Sequence, residues 1–195
     1  MPNDETPALR TLGIKLVDPE VSPEAYAELL RVARRIRESQ YRRIGLLPAS
    51  KRVAVPAVAV QLSVVLAQVS LGSVAFVDAN TRWPSLGGAV ATDRTRHIAR
   101  IALHEQVVAF ARAGPPTDRI DMAWLYDVLG VDTRGFAYVF VDLSGFPRMG
   151  EHVDAFDVLD GVLVVARAGD TTEGQLLARH DDVPKSKRLG VLLSG

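Results

Sequence analysis

Two aspartates stand where chemistry could be done. Asp78 closes the apolar run Val74-Ala75-Phe76-Val77, and Asp142 closes Ala137-Tyr138-Val139-Phe140-Val141. Short apolar runs rich in β-branched and aromatic residues are the pattern of buried strands. In open α/β sheets ligands sit beyond the carboxyl ends of the strands, so both carboxylates would face one crevice. In a working phosphate-transfer site one such aspartate holds magnesium, usually through a water, and another assists deprotonation. The competing reading is that each carboxylate merely caps the turn or helix after it. Both readings stay open on the residues alone.

The segment before Asp78 supplies the context. From Ile44 to Leu86 the chain reads as a strand (Arg43 to Leu47), a loop, an apolar helix (Pro56 to Ser70), Gly72 and a second strand (Val74 to Val77). That is the order of a βαβ unit whose first loop commonly cradles phosphate. Such a loop needs glycines for close backbone approach, a lysine for the phosphate charge, and a Ser or Thr hydroxyl for magnesium. Here the loop is Pro48-Ala49-Ser50-Lys51-Arg52-Val53-Ala54-Val55-Pro56-Ala57. It has no glycine, and Val55, Pro56 and Ala57 stand where the lysine and hydroxyls belong.

The remaining elements alternate in the same way. Ser22-Pro23-Glu24 opens a helix to about Ser39, with a capping serine, proline in the first turn and an acid at the positive helix end. Tyr26, Leu29, Leu30, Ala33 and Ile36 form its apolar stripe, and Arg31, Arg34, Arg35 and Arg37 its basic face. Further strands are expected at Val107–Ala111, Gly161–Ala166 and Leu189–Leu193, and helices near Asp118–Leu129, Glu151–Leu159 and Thr172–Arg179. Residues 1–21 read as an irregular leader with a short strand at Leu12–Val17, and Asp93–Glu105 reads as helical. Residues 22–195 then form one domain. Continuous apolar strands separated by helices predict an α/β fold, a mostly parallel sheet with helices on both faces.

Composition narrows the function classes. The 195 residues carry 23 Lys plus Arg against 23 Asp plus Glu, so no global charge draws the chain to nucleic acid. The absence of cysteine excludes disulfides, thiolate metal sites and cysteine nucleophiles. An acidic, polar N-terminus is not a secretory signal, so a cytoplasmic protein is expected. Val53 to Val77 is uncharged and long enough to span a bilayer. Its Pro56, Gln61, Gln68 and Gly72, and its switch to a β-branched run, favour a buried helix followed by a buried strand. His97 and His104 would share a helix face in the helical reading, with Glu105, Glu151 and His152 elsewhere; the spacing predicts no metal site. Ser144-Gly145 lacks the flanking glycines of a nucleophile elbow. Trp83 and Trp124 read as core or interface aromatics, core being preferred.

The chain resembles bacterial tyrosine kinases, the cytoplasmic enzymes that act with polysaccharide co-polymerases in capsule and exopolysaccharide export. Val74 to Leu86 is similar to the family's second nucleotide motif, matching at Asp78, Arg82 and Pro84 and departing at Asn80. Tyr138 to Pro147 resembles its Walker B strand, Asp160 to Thr172 its next strand and turn, Leu189 to Gly195 its last core strand, and Ser22 to Tyr26 the helix opening before the phosphate loop. The likeness runs co-linearly over about Ser22 to Gly195. It implies a P-loop NTPase-like fold of the MinD/ParA and tyrosine-kinase branch.

Carried over position by position, the resemblance puts the family's lysine at Val55, its hydroxyl pair at Pro56 and Ala57, and its flanking glycines at Arg52 and Ala54. It implies a vestigial nucleotide site of Lys51, Arg52, Val55, Pro56, Ala57, Asp78, Asn80, Arg82 and Asp142, with no catalytic residue. No cofactor is expected, ATP and magnesium entering only under the alternative of an active kinase or ATPase with an atypical phosphate loop. A MinD/ParA-like positioning or scaffold protein is a further alternative. Ser194 stands where the family often has an adenine-contacting asparagine, and the C-terminal tyrosine cluster is not expected, the sequence ending at Gly195. The family's assembly motif is found as Glu28, Arg31 and Arg34, next to Arg35; in a second register it falls on Ala27 and Leu30. The expected partner is a protein: a polysaccharide co-polymerase at the inner face of the membrane, a true kinase homologue, or a second copy of the chain. The arginine face of the first long helix is one candidate contact surface. An exposed apolar rim of Val53, Val55 and Pro56 beside Trp83 is the other.

Overall fold

The computed structural model describes residues 6–86, 97–148, 150 and 152–195. Seven strands form one sheet: β1 (Arg43–Pro48), β2 (Val74–Asp78), β3 (Ile98–His104), β4 (Val107–Arg112), β5 (Tyr138–Asp142), β6 (Gly161–Arg167) and β7 (Arg188–Ser194). Their order is β3-β4-β2-β5-β1-β6-β7. Every neighbouring pair is parallel except β3 and β4, which form an antiparallel hairpin at one edge.

Strand alternation sends side chains to two separate cores. Ile44, Leu46, Phe76, Phe140, Leu163 and Val165 face α2 (Pro23–Glu38) and α3 (Val55–Ser70). Leu47, Val77, Val139, Val141 and Val164 face the opposite layer. That layer contains α4 (Met122–Asp127), which runs on into a π-helical turn (Val128–Asp132), and α5 (His152–Phe156). The sheet is thus covered on both faces, which is why its central strands are apolar without interruption. Gly45 has a packing reason: a Cβ there would lie 2.7 Å from the δ-carbons of Leu143 and Leu159. Among the described residues no helix is long and apolar enough to cross a membrane. Val53 to Val77 is instead the buried helix α3 followed by β2.

Three sequence expectations are corrected. The leader holds a helix, α1 (Pro7–Leu12), rather than a strand at Leu12–Val17. Thr6 accepts from the Leu9 N–H, Pro7 opens the first turn, and Gly13 at φ 65° ends it. Leu9 is buried in the same core as α2 and α3, and the Thr6 hydroxyl donates to the Leu103 carbonyl at 2.9 Å. The expected helix over Asp93–Glu105 is, where described, β3; residues 93–96 lie outside the described set. Exposed Arg100 and Ala102 alternate with buried Ile101 and Leu103, the period of a half-covered edge strand. His97 and His104 therefore share no helix face. Finally, Ser22 makes no side-chain capping bond; Pro23 and Glu24 occupy the first turn of α2 as expected.

Candidate functional site

Because β2 and β5 are adjacent and in register at Val77 and Val141, Asp78 and Asp142 end neighbouring strands on the same side of the sheet. Both are buried. Asp78 Oδ2 accepts from the Ser85 N–H at 2.8 Å, the Ser85 hydroxyl at 3.0 Å and the Leu86 N–H at 2.8 Å, so it ties down the loop that follows its own strand. Asp142 Oδ1 accepts from the Ser144 N–H at 2.7 Å. The second oxygens, Asp78 Oδ1 and Asp142 Oδ2, are buried with no hydrogen-bond partner. Burial, and then the charge of Asp78, push the Asp142 carboxyl up to about 7. Burial likewise raises Asp78, against its hydrogen bonds to Leu86 and Ser85. The capping reading of these aspartates is realised, on two strands that end side by side.

Asn80 is buried beside them. Its Nδ2 donates to Ser144 Oγ at 3.2 Å and its Oδ1 accepts from the Trp83 N–H at 3.3 Å. Gly145 makes this approach possible, since a Cβ there would collide with Asn80 Oδ1. Arg82 donates to the Asp118 carbonyl at 2.7 Å and lies over the Trp83 ring at 4.7 Å. Trp83 is 41% exposed, unlike the core residue expected; Trp124 is buried, as expected. The sequence reading missed Thr81, which accepts from the Asp121 N–H at 2.8 Å and thereby holds the start of α4 to this loop. Its only signal was its place within the aspartate-bearing motif.

The loop between β1 and α3 forms the other side. Ala49 N–H donates to the Val165 carbonyl at 2.8 Å, carrying the parallel pairing one residue past β1. Lys51 and Arg52 are exposed at the tip. Val55 is 0% exposed and Val53 is also buried, so the expected rim is not an exposed one. Both valines pack into the core shared with α2, and only Val53 and the half-buried Pro56 border the cavity beside the loop. Desolvation of two valines outweighs any constraint that a loop reading places on them. Pro56 in the first turn removes one N–H from the start of α3, and Ala54 supplies no side-chain cap.

Loop, aspartate region and α6 (Glu173–Asp182) enclose a cavity of about 1180 Å³ at the carboxyl ends of the strands. Lys51, Arg52, Pro56, Asn80 and Trp83 line it; Val55, Ala57, Arg82 and the two aspartates do not. Asp170, Gln175 and Arg179 also line it, and sequence reasoning gave them no role although Asp170 lies in a turn it singled out. Among the described residues no cluster of three or more His, Asp or Glu is arranged to hold a metal ion.

The candidate contact residues lie elsewhere, on α2. Arg31 donates to both carboxylate oxygens of Glu28 at 2.8 Å. Arg34 and Arg35 are exposed, and Arg37 donates to the Val69 carbonyl at 3.1 Å, joining α2 to α3. The hydrogen bond from Arg31 lowers the Glu28 carboxyl, and the Leu193 N–H of edge strand β7 lowers it further.

No protein-family model matches the sequence, and no curated protein matches it. Solved structures do. The BceF tyrosine kinase domain aligns with 96% of this chain and 86% of its own, at 15% identity and a TM-score of 0.65. The VpsO kinase domain aligns with 90% of this chain and 96% of its own, at 11% identity and a TM-score of 0.69. A ParA family ATPase from Chlorobium tepidum aligns with 78% of this chain and 73% of its own, at 16% identity and a TM-score of 0.55. The chain has the fold of bacterial tyrosine kinase and ParA-type ATPase domains.

Proposed function

We propose that this chain is a catalytically degenerate member of the bacterial tyrosine-kinase group, a pseudokinase or pseudo-ATPase that works by protein contact. The observation that carries the reading is the start of α3. Where a phosphate-binding loop would present lysine, hydroxyls and free N–H groups, this chain has a fully buried Val55 and then Pro56. The residues present do not fit the phosphates of ATP. Val55 carries no charge, and Arg52 donates at 2.7 Å to Asp170 rather than standing free. No catalytic residue and no nucleotide cofactor are assigned.

The proposed context is capsule or exopolysaccharide export or its regulation, in the cytoplasm, with docking to the inner face of the membrane through a polysaccharide co-polymerase. A true kinase homologue or a second copy are the other partners this surface would suit. The arginine face of α2 is the proposed contact, because Arg34 and Arg35 are exposed and α2 adjoins the free edge of the sheet at β7. Reversing Arg31 and Arg34 to glutamate should abolish capture by the cytoplasmic tail of the co-polymerase while moving thermal stability little, since exposed pairs contribute only ~0–1 kcal/mol. Undiminished capture by the folded double variant would overturn the choice of surface.

One observation favours a second reading, retained nucleotide binding with an atypical loop. It is the roomy cavity, whose lining keeps Lys51 and Asn80, although Asp78 and Asp142 lie outside that lining. A MinD/ParA-like scaffold role draws support from the ParA-type structure alone.

A further inference from the structure

The cavity has one wall unlike the others. The wall formed by the loop is rooted in the core through Val53 and Val55, but α6 has no buried residue. Leu176 packs half-buried on the sheet, and Leu177 points into solvent. The helix is fixed at its ends instead. Beyond its C-terminus Val183 is buried and its carbonyl accepts from Arg188 Nε at 2.8 Å, while Arg188 pairs with Asp181 at 3.5 Å. At its N-terminus Thr172 and Gln175 form a capping box. The turn before it is tied to β6: the Arg167 N–H donates to Thr171 Oγ1 at 2.9 Å, and the Thr171 N–H to the Arg167 carbonyl at 2.9 Å. Any motion is therefore of the helix beyond that turn.

The turn before that box reaches across the cavity to the loop. Arg52 Nη1 donates to Asp170 Oδ1 at 2.7 Å, with the Arg52 side chain 79% exposed and that of Asp170 19% exposed. The other Asp170 oxygen is buried without a partner. Arg52 also lines a second, mainly apolar hollow of about 490 Å³, bounded by Ala25 and Leu29 of α2, Val58 of α3 and Leu192 of β7. The ion pair therefore stands between the two hollows.

We propose that α6 is a hinged wall of the cavity and that the Arg52–Asp170 pair is its latch. With the pair made, the turn at 168–172 is held against the loop at 49–54. With it broken, α6 pivots on the Val183–Arg188 anchor and the cavity widens on that side. An exposed guanidinium is open to competing ions, so the latch loosens as salt rises.

Amide hydrogen exchange on the full chain tests it. In Arg52→Ala, peptides covering 171–182 should exchange about three- to fivefold faster than in the parent, the ratio expected when an exposed pair is lost. Peptides covering 58–68 in α3 should not change. The parent at roughly 0.5 M salt should shift the same peptides the same way, and Arg52→Lys should restore most of the protection. Unaltered exchange over 171–182 in Arg52→Ala would overturn the latch. So would equal acceleration in α3, which marks general destabilisation.

Discussion

At the scale of single residues, the buried acids set a pH dependence that can be worked out in sign. The folded chain holds Asp142 at about 7, far above the ~3.9 of an unfolded aspartate. A group raised in this way contributes stability that is fully present below the unfolded value and is lost as pH climbs through the folded one. The loss runs from about pH 4 to about pH 7. Asp142→Asn keeps the shape and the acceptor for the Ser144 N–H but cannot ionise. Its melting temperature relative to the parent should therefore rise between pH 5.5 and pH 7.5; a difference that does not vary with pH would contradict the buried-acid account. The positions of Asp78 and Asp142 were legible because each ends an apolar run, and parallel pairing then brings such ends together. The inward turn of Val53 and Val55 was not, since a loop has no period from which to read which side faces the core. Trp83 was misplaced for a related reason: stacking with Arg82 lets an aromatic stay at the surface.

At the scale of elements, legibility followed length and pattern. α2 and α3 announced themselves by long apolar stripes, and β1, β2, β5 and β6 by continuous apolar runs. α1 has 6 residues, too few to show a period, and its evidence is the cap at Thr6 and the left-handed Gly13. β3 was hidden because Arg100 interrupts its apolar run and Ala102 has no β-branch to mark a strand, both lying on the open face of an edge strand. One element end is strained. Leu71 closes α3 in the left-handed region at φ 55°, with 84% of its surface exposed. That conformation costs an L-residue ~1–2 kcal/mol, whereas glycine adopts it freely. Leu71→Gly should raise stability by about 0.5–1 kcal/mol, after allowing for the greater freedom of glycine in the unfolded chain. Equilibrium denaturation in urea reads this directly. A lower midpoint would mean that Leu71 packs on something its exposure does not reveal.

At the scale of the whole molecule, the sheet order and the two cores are those of the tyrosine-kinase and ParA-type structures it matches, and the loop between β1 and α3 buries Val53 and Val55 behind exposed Lys51 and Arg52. The architecture was legible because every central strand is buried on both sides. The cavity's α6 wall was not, because a helix without buried residues leaves no apolar stripe to read. Under the proposed degenerate reading, the missing lysine, hydroxyls and loop glycines would remove several charge-assisted hydrogen bonds to phosphate, each worth ~1.5–3 kcal/mol. About two or three such losses would carry a micromolar dissociation constant to about millimolar.

Calorimetric titration of the chain with Mg-ATP and with Mg-ADP decides whether the loop between β1 and α3 can hold phosphate. No saturable heat is expected with either nucleotide below roughly 1 mM. A low-micromolar dissociation constant for either would contradict the degenerate reading.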